Sequence, residues 1–465
     1  MAGLHGLQSN SAVRNMTVGP IPKQILLFSL PLMLGNVFQM LYNTVDSIVV
    51  GHFVGTEALA AIGSTTMVVN MLVFFFSGFS TGAGVVISHH FGAEDRESLH
   101  AAVETAAAAA FLLCIAFTAL GWLGVKPMLR LMATPDDVFD PAVTYLRIYF
   151  SGFSGLLIYN IGSGILRAVG DTRHPLYFLV LTSILNIVLD LFFVVALDAG
   201  IAGVAYATIL AQFISAILVL RLLCRTNEVY RLVWRDLKLD FPILRRIFSI
   251  GLPAGIQSVL TAVSNVFVQS YINFFGSACM AGWGCYNKLD MIVYLPMQSM
   301  SMAATTFVSQ NIGAKKEERA DRGTFITVGM ALAVTAAAIA LLFSLAPQAV
   351  ALFTEDPAVI AFGTTFLKAN LWFLLFNVVA QVLAGSLRGR GDSKAPMFFM
   401  LTTFVVVRQI YLFFITRYVA NTPIVVGLGY PVGWASCCLL ETTYFFWKRH
   451  RRRAQTAAET DAPAV

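Results

Sequence analysis

Apolar runs dominate the chain, and polar residues gather in short breaks between them. Twelve apolar segments stand out, at approximately 24–50, 57–88, 99–125, 139–166, 175–198, 201–223, 243–273, 279–309, 323–346, 358–387, 396–418 and 425–447. A helix needs about 20 predominantly apolar residues to cross a bilayer. Several of these runs are longer, which predicts tilted, bent or extended helices. Gly and Pro fall inside many of them, as membrane helices tolerate when neighbours re-satisfy the backbone. The pattern predicts an all-α polytopic membrane protein with twelve transmembrane helices.

The pattern also repeats. Ile87-Ser-His-His-Phe-Gly-Ala93 returns as Val308-Ser-Gln-Asn-Ile-Gly-Ala314, and Gly164-Ile-Leu-Arg-Ala-Val-Gly-Asp171 as Gly385-Ser-Leu-Arg-Gly-Arg-Gly-Asp392, with an offset of 221 residues in both cases. Pro31 finds Pro253 one residue off that register. Six segments separate the copies. An even number makes both halves enter the membrane in the same sense, so this is a parallel repeat of two six-helix lobes.

Composition agrees with a membrane chain: 57% of the 465 residues are hydrophobic and only 12% charged, with a mean hydropathy of +0.74. Soluble domains carry about 25% charge. The start of the chain lacks a signal-peptide pattern. Most of the 31 Lys and Arg fall on one side if the N-terminus is cytoplasmic, which puts both termini inside by the positive-inside rule. The net charge of +6 therefore belongs to loops on the anionic face of the bilayer, with lipid and not nucleic acid as the partner. These boundaries predict a cytoplasmic N-terminal tail (1–20), an N-lobe (21–224), a basic cytoplasmic linker (225–242), a C-lobe (243–447) and a cytoplasmic C-terminal tail (448–465). The six cysteines form no CxxC pair and read as buried small residues.

Charges inside apolar segments are the candidate chemistry. The first segment, Leu30 to Gly51, carries Asp46 and Pro31. A carboxylate there costs about 2.5–3.5 kcal/mol on insertion scales, so Asp46 either snorkels to the headgroups or serves an ion or a substrate in a cavity. Asn186 and Asp190 are four apart and share one face of the fifth helix. An Asn–Asp pair amid apolar neighbours needs a partner in the same lobe, and Asp46 and Thr208 are available. Two carboxylates, an amide oxygen and a hydroxyl are hard donors that either share a proton, since like charges repel in low dielectric, or coordinate sodium. Gln39, Tyr42 and Asn160 are expected in the same wall. Pro31 removes one helical bond and is expected to let the first helix bend.

Together and in order, several motifs resemble the multidrug and toxic compound extrusion (MATE) family over about residues 20 to 450. They are Pro31 with Tyr42-Asn-Thr-Val-Asp46 and Val50-Gly51; Ala58-Leu-Ala-Ala-Ile-Gly63; Phe91-Gly-Ala-Glu-Asp95; Leu166-Arg-Ala-Val-Gly-Asp-Thr172 with Pro175; and Asn186-Ile-Val-Leu-Asp190. The resemblance implies two lobes around a central V-shaped cavity. It also implies a secondary antiporter of a bacterial plasma membrane that expels organic cations and drugs against proton or sodium influx, with no cofactor, no metal other than sodium as a coupling ion, no nucleic acid partner, and a monomer expected. It further implies that Asp46, Asn186, Asp190 and Thr208 form an N-lobe ion site.

The second lobe departs from one branch of that family. The seventh and tenth helices hold no Asp or Glu, so no C-lobe sodium site of that kind is expected. The resemblance is to the DNA-damage-inducible protein F-like branch and related multidrug exporters. Charges here are Lys288, Asp290, Lys368, Arg408 and Glu441. Lys288 is expected to line the substrate cavity, and Arg408 to pair with Glu441. His89 and His90 read as interfacial residues and not as metal ligands. Gly170-Asp171-Thr172 and Gly391-Asp392-Ser393 read either as helix caps or as a gate latch. A lipid-linked oligosaccharide flippase of the same superfamily is the alternative reading, but it favours a strongly basic cavity. An enzyme would need a nucleophile–base set or a metal motif, and neither is present.

Overall fold

The computed structural model describes residues 13–132 and 134–460. Among these residues no strand forms, and the chain builds twelve helical columns. They are α1 (Ile21–Val54), α2 (Thr56–Gly92), α3 (Arg96–Leu131), α4 in two pieces (Asp136–Ser151 and Phe153–Ala168), α5 (Arg173–Ala196), α6 (Gly200–Arg225), α7 (Phe241–Asn273), α8 (Ser277–Gly313), α9 (Glu317–Ser344), α10 (Pro357–Gly389), α11 (Lys394–Tyr418) and α12 (Pro423–Gln455). Ten of them are long and apolar enough to cross a membrane. The other two are α4, which breaks at Gly152 into two 16-residue helices, and α8, which carries Asn287, Lys288, Asp290, Gln298 and a run of Ser and Thr. The first twelve residues of the expected N-terminal tail and the last five of the C-terminal tail lie outside the described residues.

The repeat is written into the backbone. Glu94 and Lys315 both take a positive φ (59° and 57°), as do Gly170 and Gly391 (87° and 83°); each pair is 221 residues apart. Asp171 N–H donates to Leu166 O at 2.9 Å, and Asp392 N–H to Leu387 O at 2.9 Å. The left-handed residue in this turn is glycine in both copies because a Cβ there is penalised. Ser80 Oγ donates to Asn160 O (2.8 Å) and Ser301 Oγ to Gln381 O (2.6 Å). The Gly-Asp motifs act as caps. Asp171 Oδ1 accepts from the N–H of Arg173 and His174, and Asp392 Oδ1 from that of Ala395. Burial opposes charge on Asp392, but Lys448 and Tyr444 hold its carboxyl below the usual range.

Contacts divide the chain into two compact units, Met1–Gly255 with Ser309–Glu317, and Ile256–Val308 with Glu318–Val465. The first has a core of buried Val, Ile, Leu, Ala and Phe from α2 to α7, with Phe76 and Phe153 fully enclosed and Phe117 against them. The second centres on Trp283, Tyr286 and Phe366.

Two glycine crossings tighten the first unit. Gly78 and Gly82 of α2 meet Gly251 and Gly255 of α7, and a Cβ at Gly82 would lie 2.4 Å from Ile247 O. Both are small-xxx-small pairs, which let membrane helices approach to backbone contact. Gly92 of α2 and Gly313 of α8 form a second crossing: a Cβ on either would lie 1.9 Å from a carbonyl, of Gln310 and His89 respectively.

Residues 14–17, which read as plain tail, are built into this unit. Arg14 N–H donates to Val169 O and Met16 N–H to Gln310 Oε1, Asn311 Nδ2 reaches Met16 O, and Lys316 Nζ donates to Thr17 O. Met16 is fully buried.

Alanine in place of a helical glycine ordinarily stabilises a helix by about 1 kcal/mol. Gly82→Ala should reverse that sign and lower the melting temperature of the detergent-solubilised protein by several degrees. Gly124→Ala, where a Cβ meets open space, should not. Equal melting of the two variants would contradict the crossing.

Candidate functional site

The α1, α4, α5 and α6 columns enclose a cavity of about 410 Å³ within the first unit. Its wall includes Pro31, Gln39, Tyr42 and Asp46 from α1, Asn160 from α4, Asn186 from α5 and Thr208 from α6. Asp190 lies behind this wall, fully buried, and its carboxyl faces that of Asp46. The four residues expected in the N-lobe ion site are thus gathered by three helices, and Gln39, Tyr42 and Asn160 lie around them.

Local sequence explains the placement. Residues four apart share a helix face, which stacks Tyr42 over Asp46 and Asn186 over Asp190. Thr208 Oγ1 turns back onto Val204 O at 3.0 Å, and Asn160 Nδ2 onto Leu156 O at 2.9 Å. Thr208 therefore keeps its lone pairs toward the cavity. Ser215 Oγ donates to Thr182 Oγ1 at 2.8 Å and ties α6 to α5 beside it.

Beyond the contact of the two acids with each other, neither Asp190 oxygen, neither amide atom of Asn186, nor Asp46 Oδ1 has a hydrogen-bond partner among the described residues. Among the described residues no Lys, Arg or His forms an ion pair with either acid. Two carboxyls this close in a low-dielectric setting cannot both carry charge unaided, because their repulsion adds to the desolvation of each. A shared proton or a small cation removes the conflict, and the amide oxygen and hydroxyl supply further hard donors.

Sequence reasoning missed part of the wall. Tyr145, Tyr149, Arg167, Thr182, Ser183, Gln212 and Ser215 also line the cavity, and the rings of Tyr145 and Tyr149 stack with centroids 6.2 Å apart. A helical-face reading would have found them: Tyr145 with Tyr149, Thr182 with Asn186, and Gln212 with Thr208 are each four apart.

The charges of the second half lie elsewhere. Lys288 is not in this cavity; it belongs to the second unit, where its Nζ sits 5.3 Å from the Phe353 ring centroid. The expected Arg408–Glu441 pair does not form. Arg408 Nη2 donates to Ser264 Oγ at 2.6 Å, and the guanidinium lies 4.8 Å from the centre of the Tyr430 ring. Glu441, fully buried, interacts with Arg388 instead. An aromatic face and a hydroxyl meet the guanidinium in place of a counter-ion, while its Nε has no hydrogen-bond partner among the described residues.

A duplicated set of six helical columns, ten of the twelve long and apolar enough to cross a membrane, with a polar cavity in the first unit, defines a multi-pass membrane protein. The chain belongs to the MatE family, whose pattern it matches over residues 31–192 and again over 253–414. It is 30% identical over 435 residues to the probable multidrug resistance protein YpnP of Bacillus subtilis, covering 93% of this chain and 97% of that one. It is 26% identical over 388 residues to the probable multidrug resistance protein NorM of Thermotoga maritima, covering 82% of each. Among solved structures, a MATE protein in the bent conformation superposes with a TM-score of 0.90 at 24% identity, covering 97% of this chain and all of that one. An outward-facing multidrug resistance MATE family transporter gives 0.89 at 24% identity, covering 96% and 99%. At that identity these two likenesses speak for the fold.

Pro31 lies inside the continuous α1 helix and lines the cavity fifteen residues before Asp46. Lacking an N–H, it leaves the Leu27 carbonyl without its usual helical donor, which makes this the softest point of the column. Pro31→Ala should stiffen α1 and slow export several-fold with little loss of expression. Unchanged transport kinetics across a range of imposed gradients would count against a mechanical role.

Proposed function

We propose that the protein is a secondary active antiporter that exports organic cations and drugs across a bacterial plasma membrane, with both termini cytoplasmic. Inward movement of protons or sodium through Asp46, Asn186, Asp190 and Thr208 drives it. The observation that carries this reading is the Asp46–Asp190 pair: two facing carboxyls at a cavity wall, without a basic partner. Family membership and the multidrug resistance names of the relatives support the substrate class.

The chemistry is an exchange. The pair with one proton or cation bound carries one negative charge fewer and holds an organic cation less strongly. The pair stripped of it attracts one across the Tyr42, Tyr145 and Tyr149 faces, where cation–π contact adds to charge. One site with two competing occupants, presented to the two sides of the membrane in turn, couples their movements. A site biases a conformational equilibrium only by its differential affinity for the two states.

The test is dye efflux from everted vesicles or proteoliposomes under an imposed proton gradient, then under a sodium gradient. Asp46→Asn and Asp190→Asn should each reduce gradient-driven efflux to background while inserting normally. Asp290→Asn, in the second unit, should keep it. Wild-type efflux in both first-half variants, or uncoupling by Asp290→Asn alone, would contradict the assignment.

A further inference from the structure

Outside the membrane cavity, one cluster of side chains among the described residues has the composition of a metal site. We propose that His100 and Glu104 of α3 and Asp236 of the segment between the two halves bind a divalent transition-metal ion of the zinc class, which pins that segment to α3.

The donors come from two elements. His100 and Glu104 are four apart and project from one face of α3, a spacing that serves paired ligands on a helix. Asp236 ends a single turn of 3₁₀ helix, Trp234–Asp236. One ligand atom from each of the three lies within 4.8 Å of the others. His100 Nε2 and Glu104 Oε1 are 2.8 Å apart, yet Oε1 has no hydrogen-bond partner: two lone-pair donors converge without an aligned N–H between them. The Glu104 side chain is only 8% exposed, so an unsatisfied carboxylate oxygen is aimed into the cluster from a buried stem.

The segment is already held on both sides of Asp236. Before it, the Trp234 ring meets Phe111 with centroids 5.4 Å apart. After it, Thr105 Oγ1 accepts from Asp240 N–H at 3.1 Å and donates to Lys238 O at 3.5 Å. Phe111 lies seven residues beyond Glu104, two turns along the same face. Ligands about 2.1 Å from a tetrahedral ion stand about 3.4 Å apart. Closing the cluster therefore requires the exposed Asp236 side chain to swing inward and the His100 and Glu104 atoms, 2.8 Å apart, to part slightly. One imidazole and two carboxylates suit zinc and its neighbours, whereas magnesium prefers all-oxygen, largely hydrated sites. Lys238 is the one opposing charge at Glu104.

Zinc uptake by the full-length protein in detergent micelles, purified without a histidine tag, tests this by equilibrium dialysis with magnesium as the control. The wild type should bind one zinc ion that His100→Ala and Asp236→Asn bind at least tenfold more weakly. Lys238→Met should bind it more tightly. Zinc should also slow tryptic cleavage at Arg231 and Arg235 in the wild type and not in Asp236→Asn; retained monodispersity and helical circular dichroism certify the variants. No zinc-dependent difference between the wild type and Asp236→Asn, in uptake or in cleavage, would overturn the proposal.

Discussion

Two carboxyls facing each other beneath a cavity, with no ion pair to either among the described residues, set the terms for the first half of this molecule. In lipid an uncompensated charge is costly, and the surrounding helices meet the pair with neutral polar side chains. Asp190 is fully enclosed, and Asn186 and Thr208 offer oxygens rather than charges. The glycine crossings of α2 with α7 and of α2 with α8 fix the framework by bringing backbones together. The cavity, lined chiefly by α1, α4, α5 and α6, is left as the place where polar atoms meet without partners.

The second half repeats the same fold, and its buried acids, Asp290 and Glu441, stand apart instead of facing each other as Asp46 and Asp190 do, each with one oxygen lacking a hydrogen-bond partner among the described residues. Its turns reproduce the first half's φ values and hydrogen bonds at an offset of 221 residues, down to Ser301 and Arg388 in the places of Ser80 and Arg167. The residue in Asp190's place is Tyr411, whose hydroxyl donates to Val425 O at 3.0 Å. Glu441 has Arg388 nearby and Arg408 has Tyr430. The two copies share the scaffold and differ in where their charges sit.

Much of this was legible in the sequence because periodicity and duplication are local properties. The twelve columns follow from apolar runs, and Asn186 with Asp190 from a spacing of four. What escaped depends on neighbours distant in the chain. Met16 looks like tail because its partners, Gln310 and Asn311, lie almost three hundred residues away. Arg408 was given a carboxylate because charge suggests countercharge, whereas an aromatic ring and a hydroxyl are what it meets. The glycine crossings left a trace as Gly-xxx-Gly spacing, but spacing alone does not name the partner helix.

The central claim is that one site in the first half holds either the coupling ion or the substrate. It is tested most directly by adding an organic cation to purified protein in weakly buffered detergent solution and recording proton release, with sodium displacement followed in parallel. The wild type should release one of the two ions in step with substrate occupancy, and Asp190→Asn should release neither. Undiminished release from a variant lacking both Asp46 and Asp190 would contradict the account.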